Sequence, residues 1–270
     1  LQTTPGVVTT GDQGGQMYVR GGSPIQNKVL LDGMTIYNPF HSIGFFSVFE
    51  TEIIRNADIY TGGFNAEYGG RISSIMDITT RDGNQGGMKG RASVSPFMAK
   101  LLLEGPLKKP KELGDGSISY ILTGKHSYLD ETSKVLYPYI DTTGEGLPFG
   151  FTDLYGKITF KGRNGSKFNL FGFNFMDHVN YQAVSDLSWN SYGVGSNFLL
   201  VPGTSKVLIE GKLSISDYKL KLIEENGQER RSGINSFNFG FDFKYFIKEN
   251  ELKYGVEVSG FSTDFSYVNS

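Results

Sequence analysis

The sequence predicts a mainly β chain, an antiparallel array of amphipathic strands behind a small mixed α/β unit, and three observations predict it. Past residue 88, apolar residues recur on every second position. In FNFGFDFKYFI, residues 237 to 247, Phe237, Phe239, Phe241, Phe243, Tyr245 and Ile247 share one side of a strand, with Asn238, Gly240, Asp242 and Lys244 on the other. Composition points the same way: 36 Gly, 21 Phe and 15 Tyr exceed the usage of an average domain, while 38% hydrophobic residues exclude a disordered chain. Finally, no run of about 18 apolar residues occurs, which excludes a membrane helix. It does not exclude a membrane barrel, whose strands of about 10 residues alternate and read as only mildly hydrophobic.

The elements follow in order. Residues 1 to 82 are rich in Gly and Ser and are expected to hold a buried strand at 29 to 37 (VLLDGMTIY), a short helix near 47 to 55, and two strands at ADIYTGG and SSIMDITT. DGNQGGMKG, residues 82 to 90, marks a seam. Beyond it, strands are expected around Ile118 to Leu122, Leu154 to Phe160, residues 167 to 178 and 189 to 201, Val207 to Ile215, Phe237 to Ile247 and Leu252 to Val258. Links at 162 to 166, 202 to 205 and 248 to 250 are short; those at 129 to 152, 179 to 188 and about 222 to 234 read as long polar loops. Short turns on one side and long loops on the other describe an outer-membrane barrel. For that alternation to hold, 88 to 105 must contain two strands reversing at Ser95-Pro96-Phe97, since proline suits a turn and removes a ladder donor. The count is then nine. An odd count, a start at Leu1 without Met and an end just past an alternating segment all fit a piece of a longer chain.

Several chemistries are excluded. Net charge is −2 with no long basic run, so the footprint of a nucleic-acid binder is missing. There is no Cys, hence no disulfide or thiolate metal site. His41, His126 and His178 lack metal-ligand spacing, no G-x-S-x-G elbow occurs, and GGSPIQNK at 21 to 28 lacks the G-K-[ST] ending of a phosphate loop. Asp130 and Glu131, like Glu224 and Glu225, read as solvated loop carboxylates. The chain reads as non-enzymatic, with no cofactor and no metal.

YVRGG (18 to 22), VLLDGMTIYNPFH (29 to 41) and IYTGGFNAEYGGRISSIMDITTRDGN (59 to 84) resemble the second half of the plug domain of TonB-dependent outer-membrane receptors, and NPFHSIGFFSVF (38 to 49) resembles the Bacteroidetes-type version. The resemblance implies a partial antiparallel transmembrane β-barrel, about nine strands of about 22, preceded by part of a small α/β plug. The expected boundaries are plug 1–82, linker 83–90 and barrel 91–270. It also implies active import of a scarce nutrient across the Gram-negative outer membrane. The partners would be TonB, through a segment upstream of this chain, membrane lipid, an unknown nutrient and, in some relatives, a surface lipoprotein. A receptor-like barrel acting as a binding or assembly scaffold is the rival, and a passive porin is disfavoured because residues 1 to 82 would obstruct its channel.

The same resemblance assigns sites. Gly21, Gly22, Gly33, Gly62, Gly63, Gly69 and Gly70 would allow the tight turns of a plug packed in a fixed lumen. Arg20 would fork onto a wall carboxylate lying beyond Ser270. Thr61 stands where the family has a second arginine, and Arg71 is expected to replace it. Ser23, Gln26, Asn27, Tyr37, Asn38 and His41 fall in the plug loops that would contact ligand, and Tyr137, Tyr139 and Phe149 could stack on a sugar or aromatic ligand.

Overall fold

The computed structural model describes residues 7–9, 17–44, 46–110, 112, 115–139, 144, 146–181, 185–203 and 206–267. In the N-terminal unit, β1 (Val7–Thr9) pairs with β2 (Met17–Val19). A separate four-stranded sheet contains β3 (Asn27–Leu31), β4 (Met34–Thr35), β5 (Ile54–Thr61) and β6 (Ser74–Thr80), in the order β4-β3-β6-β5 with β3 and β6 parallel. The single strand expected at 29 to 37 is therefore a hairpin. Asp32 (φ 51°) and Gly33 (φ 89°) both occupy the left-handed region, as a two-residue type I′ turn requires, and Asp-Gly favours that turn. The helix expected near 47 to 55 is a single 3-10 turn, Thr51–Ile53.

The remainder is a nine-stranded sheet in which each strand is antiparallel to the next: β7 (Lys89–Val94), β8 (Met98–Lys108), β9 (Ser117–Ser127), β10 (Phe149–Lys161), β11 (Lys167–Tyr181), β12 (Ser185–Leu200), β13 (Val207–Glu224), β14 (Glu229–Ile247) and β15 (Asn250–Tyr267). The expected count and the reversal at 95 to 97 are both present, the latter closed by Ser95 N–H donating to the Met98 carbonyl at 2.9 Å. Two expected loops are not. β11 and β12 pair from Lys167↔Leu199 up to Tyr181↔Ser185, and β13 and β14 pair up to Ile223↔Glu229. The strands thus continue through most of 179 to 188 and 222 to 234; residues 182 to 184 lie outside the described residues. Polar side chains on both faces leave the backbone ladder intact, so polarity alone misread strand as loop. Strand length grows instead, from 6 residues in β7 to 19 in β14. The connection at 128 to 148 is long and carries α1 (Leu129–Leu136), where irregular loop was expected.

Side-chain parity divides the sheet. Leu122, Leu154, Leu170, Val194, Ile215, Phe239 and Val258 lie exposed on one face. Ile121, Tyr155, Phe173 and Trp189 are buried on the other, against Met34, Val48, Met76 and Ile78 of the N-terminal unit, in one apolar core. β11 is apolar on both sides: Phe171, Phe173 and Phe175 point into that core while Leu170 and Met176 face out. Its alternation reads as irregular in sequence for this reason.

Candidate functional site

The site is the seam between the N-terminal unit and the inner face of the sheet, built on three polar anchors. The first grows from the β3–β4 turn. With Asp32 at its tip, the hairpin pushes a carboxylate against β10, where Oδ2 accepts from Tyr155 OH and from Thr80 Oγ1, each at 2.6 Å. Oδ1 accepts from Thr80 N–H at 3.0 Å and pairs with Lys157 Nζ at 3.5 Å. Lys157 also donates to the Thr80 carbonyl at 3.0 Å, and Asn197 Nδ2 to the Asp32 carbonyl at 3.2 Å. Both charged side chains are 1% exposed. Such a pair is tolerable only because the neighbouring hydroxyls and amide complete its hydrogen bonding.

The second anchor is His41, fully buried between two strands. Nδ1 lies 2.9 Å from Asp177 Oδ2 on β11, and Nε2 lies 2.9 Å from Asp153 Oδ2 on β10. With a carboxylate on each side both ring nitrogens donate, so the ring is an imidazolium. Burial alone would lower its pKa, but the hydrogen bonds to Asp153 and Asp177 prevail and hold it above the ordinary 6.5. The ring stacks on Phe151 at 3.9 Å between centroids. Ser42 donates its N–H and Oγ to the same Asp177, and Lys125 Nζ joins Asp153 (2.9 Å) to the Ser47 carbonyl (2.6 Å).

The third anchor ends the unit. Arg81 forks onto Glu104 of β8, Nη1 to Oε2 at 2.6 Å and Nη2 to Oε1 at 3.1 Å, and Asn84 N–H adds 2.9 Å to the same carboxylate. Gly83 follows. A Cβ there would fall 2.0 Å from the Tyr120 carbonyl oxygen, so the chain leaves the unit flat against β9.

The expected site residues distribute as follows. Arg20 lies over Gly62, where an added Cβ would stand 2.5 Å from Nη1, and it forms no ion pair among the described residues. Arg71 donates to two carbonyls of its own unit, Asn27 (3.3 Å) and Gly70 (2.7 Å). Gly21, Gly33, Gly62 and Gly70 take positive φ, Gly22 packs on Ser73, and an added Cβ at Gly63 or Gly69 would meet open space. Ser23 and Gln26 close a local turn, Ser23 N–H donating to Gln26 Oε1 at 3.0 Å, and Asn27 ties Met17 to Ser74. Asn38 is oriented with its oxygen toward Trp189 Nε1 (3.3 Å) and its amide toward the Phe40 carbonyl (3.0 Å). Asn27, Tyr37, Asn38 and Arg71 meet Tyr218 and Ile234 of the sheet in a cleft of about 370 Å³. His41, expected beside them, is a buried wall anchor closed to ligand. Tyr137 stacks on Phe97 and Phe149 meets Tyr181 edge-on.

Sequence reasoning missed Asp32, Arg81, Glu104 and Lys157. Asp-Gly between apolar runs was a readable signal for the first, whereas an arginine–glutamate pair 23 residues apart leaves none.

The family model described as TonB-dependent Receptor Plug Domain matches residues 1–74. Among solved structures, the hemophore receptor HasR of Serratia marcescens, as a double mutant with its hemophore HasA and heme, is 14% identical with a TM-score of 0.72, covering 100% of this chain and 43% of that one. The copper transporter OprC is 12% identical (TM-score 0.70; 98% and 43% covered), and the FrpB iron transporter of Neisseria meningitidis is also 12% identical (TM-score 0.68; 98% and 44%). The chain thus spans less than half the length of these structures, and likeness at such identities shows the fold. No curated protein matches by sequence.

Proposed function

We propose, on the premise that the chain carries a TonB-dependent receptor plug and the opening strands of its Gram-negative outer-membrane barrel, that the whole protein is a plug-gated receptor importing a scarce nutrient. The observation that carries this reading is a folded unit held on one face of the nine-stranded sheet by two buried polar anchors and a partly exposed arginine–glutamate fork. Such an arrangement suits a stopper that must be moved. Release would expose the shared apolar core, Met34, Met76, Phe171, Phe173 and Phe175 among it, to water, so thermal opening is rare and needs outside work. TonB, engaging a segment upstream of this chain, would supply it. The cleft formed by Tyr37, Asn38, Arg71 and Tyr218 is where a ligand would wait. No chemical change in the cargo belongs to this reading.

The test uses the full-length receptor in cells with and without TonB, offered radiolabelled iron-siderophore, heme and copper, the cargo classes named for its structural neighbours. Surface binding should persist in both strains, with accumulation of one cargo confined to the TonB-bearing strain. Binding without accumulation in either strain would make the protein a surface scaffold instead.

A further inference from the structure

One loop of the plug is held by packing at its base and by charge at its turn. Residues 39 to 48 close on themselves: His41 N–H donates to the Phe46 carbonyl at 2.9 Å, Gly44 N–H to the His41 carbonyl at 2.8 Å and Val48 N–H to the Pro39 carbonyl at 3.1 Å. Val48 is buried in the shared core and fixes the base. The turn reaches β9, β10 and β11 through His41, Ser42 and the Ser47 carbonyl. Each of these strands has a hydrogen-bonded neighbour on both sides, so the contact lies within the sheet and not at an edge.

The charges balance only with a proton on each ring nitrogen. Asp153 and Asp177 face His41 and Lys125, two carboxylates against two cations, and none of the four side chains is more than 6% exposed. Around them, β12 brings the indole of Trp189, 5.9 Å from the ring, β13 the phenol of Tyr218 behind it, and β8 Lys100, already paired with Glu50 of the plug. Losing one proton sets a ring lone pair against a carboxylate in a dry interior. The two carboxylates are unequally provided. Asp177 keeps the N–H and hydroxyl of Ser42, whereas Asp153 keeps Lys125 and has an Oδ1 without a hydrogen-bond partner among the described residues. The remaining proton therefore stays on Nε2 toward Asp153, and the contact that fails is Nδ1 with Asp177.

We propose that His41, Asp153 and Asp177 form a proton-operated latch: the 41 to 46 turn is pinned to β10 and β11 while the ring carries both protons, and it swings free when one is lost. The latch stands on the fold alone. On the import reading it also regulates ligand, since Tyr37 and Asn38 lead into this loop and Asn38 braces Trp189 Nε1 against the Phe40 carbonyl. Loss of the proton would then loosen the residues expected to meet cargo.

Diethyl pyrocarbonate, which acylates only neutral and accessible imidazole, tests the latch on the full-length receptor in detergent micelles from about pH 6 to about pH 9.5. Mass spectrometry of the peptides reads each histidine separately. The exposed His126 and His178 are internal controls and should react through the ordinary histidine range. His41 should begin to react about one pH unit higher or more. Asp177→Asn, which removes one carboxylate, should move the His41 midpoint down toward the controls; Asp153→Asn should do the same and serves if the first variant assembles poorly. Asp186→Asn, beside His178, should leave His41 at its wild-type midpoint. Reaction of His41 in step with the controls, no reaction across the whole range, or a midpoint unmoved by the Asp177 and Asp153 variants overturns the latch. Failure of TonB-dependent accumulation would sink the import reading and leave this titration standing.

Discussion

The plug meets β8–β12 as one protein layer meets another, and meets β13–β15 as a solute meets a charged surface. On the first wall, phenylalanines at 171, 173 and 175 fill the seam between Asp32–Lys157 at one height and His41–Asp153–Asp177 at another. On the second, Lys28 and Lys212 pair with Glu257, and Lys253 with Glu67, through partly exposed side chains. Contacts within one molecule can thus differ in strength by how completely they exclude solvent.

That contrast predicts a ranking of effects. Lys157→Met should destabilise plug docking by about 3–5 kcal/mol, because the Asp32 charge would be stranded in the interior; protease accessibility of the plug in the micellar full-length receptor measures it. Phe175→Ala should cost about 3–5 kcal/mol by the same assay, the removed ring leaving a cavity between plug and β11. An equally small loss there and on the β14 wall would erase the distinction between the two sides. Phe241→Arg tests the outer face: an arginine at mid-bilayer should cost about 2–4 kcal/mol, seen as reduced assembly and loss of heat-resistant mobility.

The His41 anchor adds a pH dependence near neutrality to the tight wall. Its pKa is raised in the folded state, so its stabilisation is complete below the unfolded value of 6.5 and is lost as pH rises through the higher folded value. Protease cutting within residues 38 to 48 should therefore increase over that window, and His41→Gln should flatten the curve. Least affected is Lys253→Ala on the charged wall, where the partly exposed pair with Glu67 is worth about 0–1 kcal/mol. A loss as large as that of Lys157→Met would make the two walls alike.

What could be read from sequence was set by local pattern. Seven of the nine strands follow from period two, which acts within a few residues; the first two, and their reversal at Pro96, were placed by the expected alternation of turn lengths and by a residue without an N–H. Strand ends above the apolar band did not follow, since Ser188, Asn190, Lys221 and Ser232 pair through backbone that polarity does not reveal. The site was less legible still. Tyr37, Asn38 and Arg71 were found through family words and do meet in one cleft, whereas His41 reads as an exposed loop residue until Asp153 and Asp177, more than 100 residues away, are brought around it.

The length of β14 bears on what can reach this protein from outside. Its 19 residues extend about 60 Å along the strand at about 3.3 Å per residue, and tilted near 45° they rise about 45 Å, against an apolar band about 25 Å tall. Because the outward-facing phenylalanines of β14 stop at Phe237, the excess would stand, on the receptor reading, beyond the apolar band as a wall about 20 Å high. In the closed barrel that the proposed function requires, a broad visitor such as an antibody would meet only the rim, and a molecule narrower than the bore would alone touch the plug beneath.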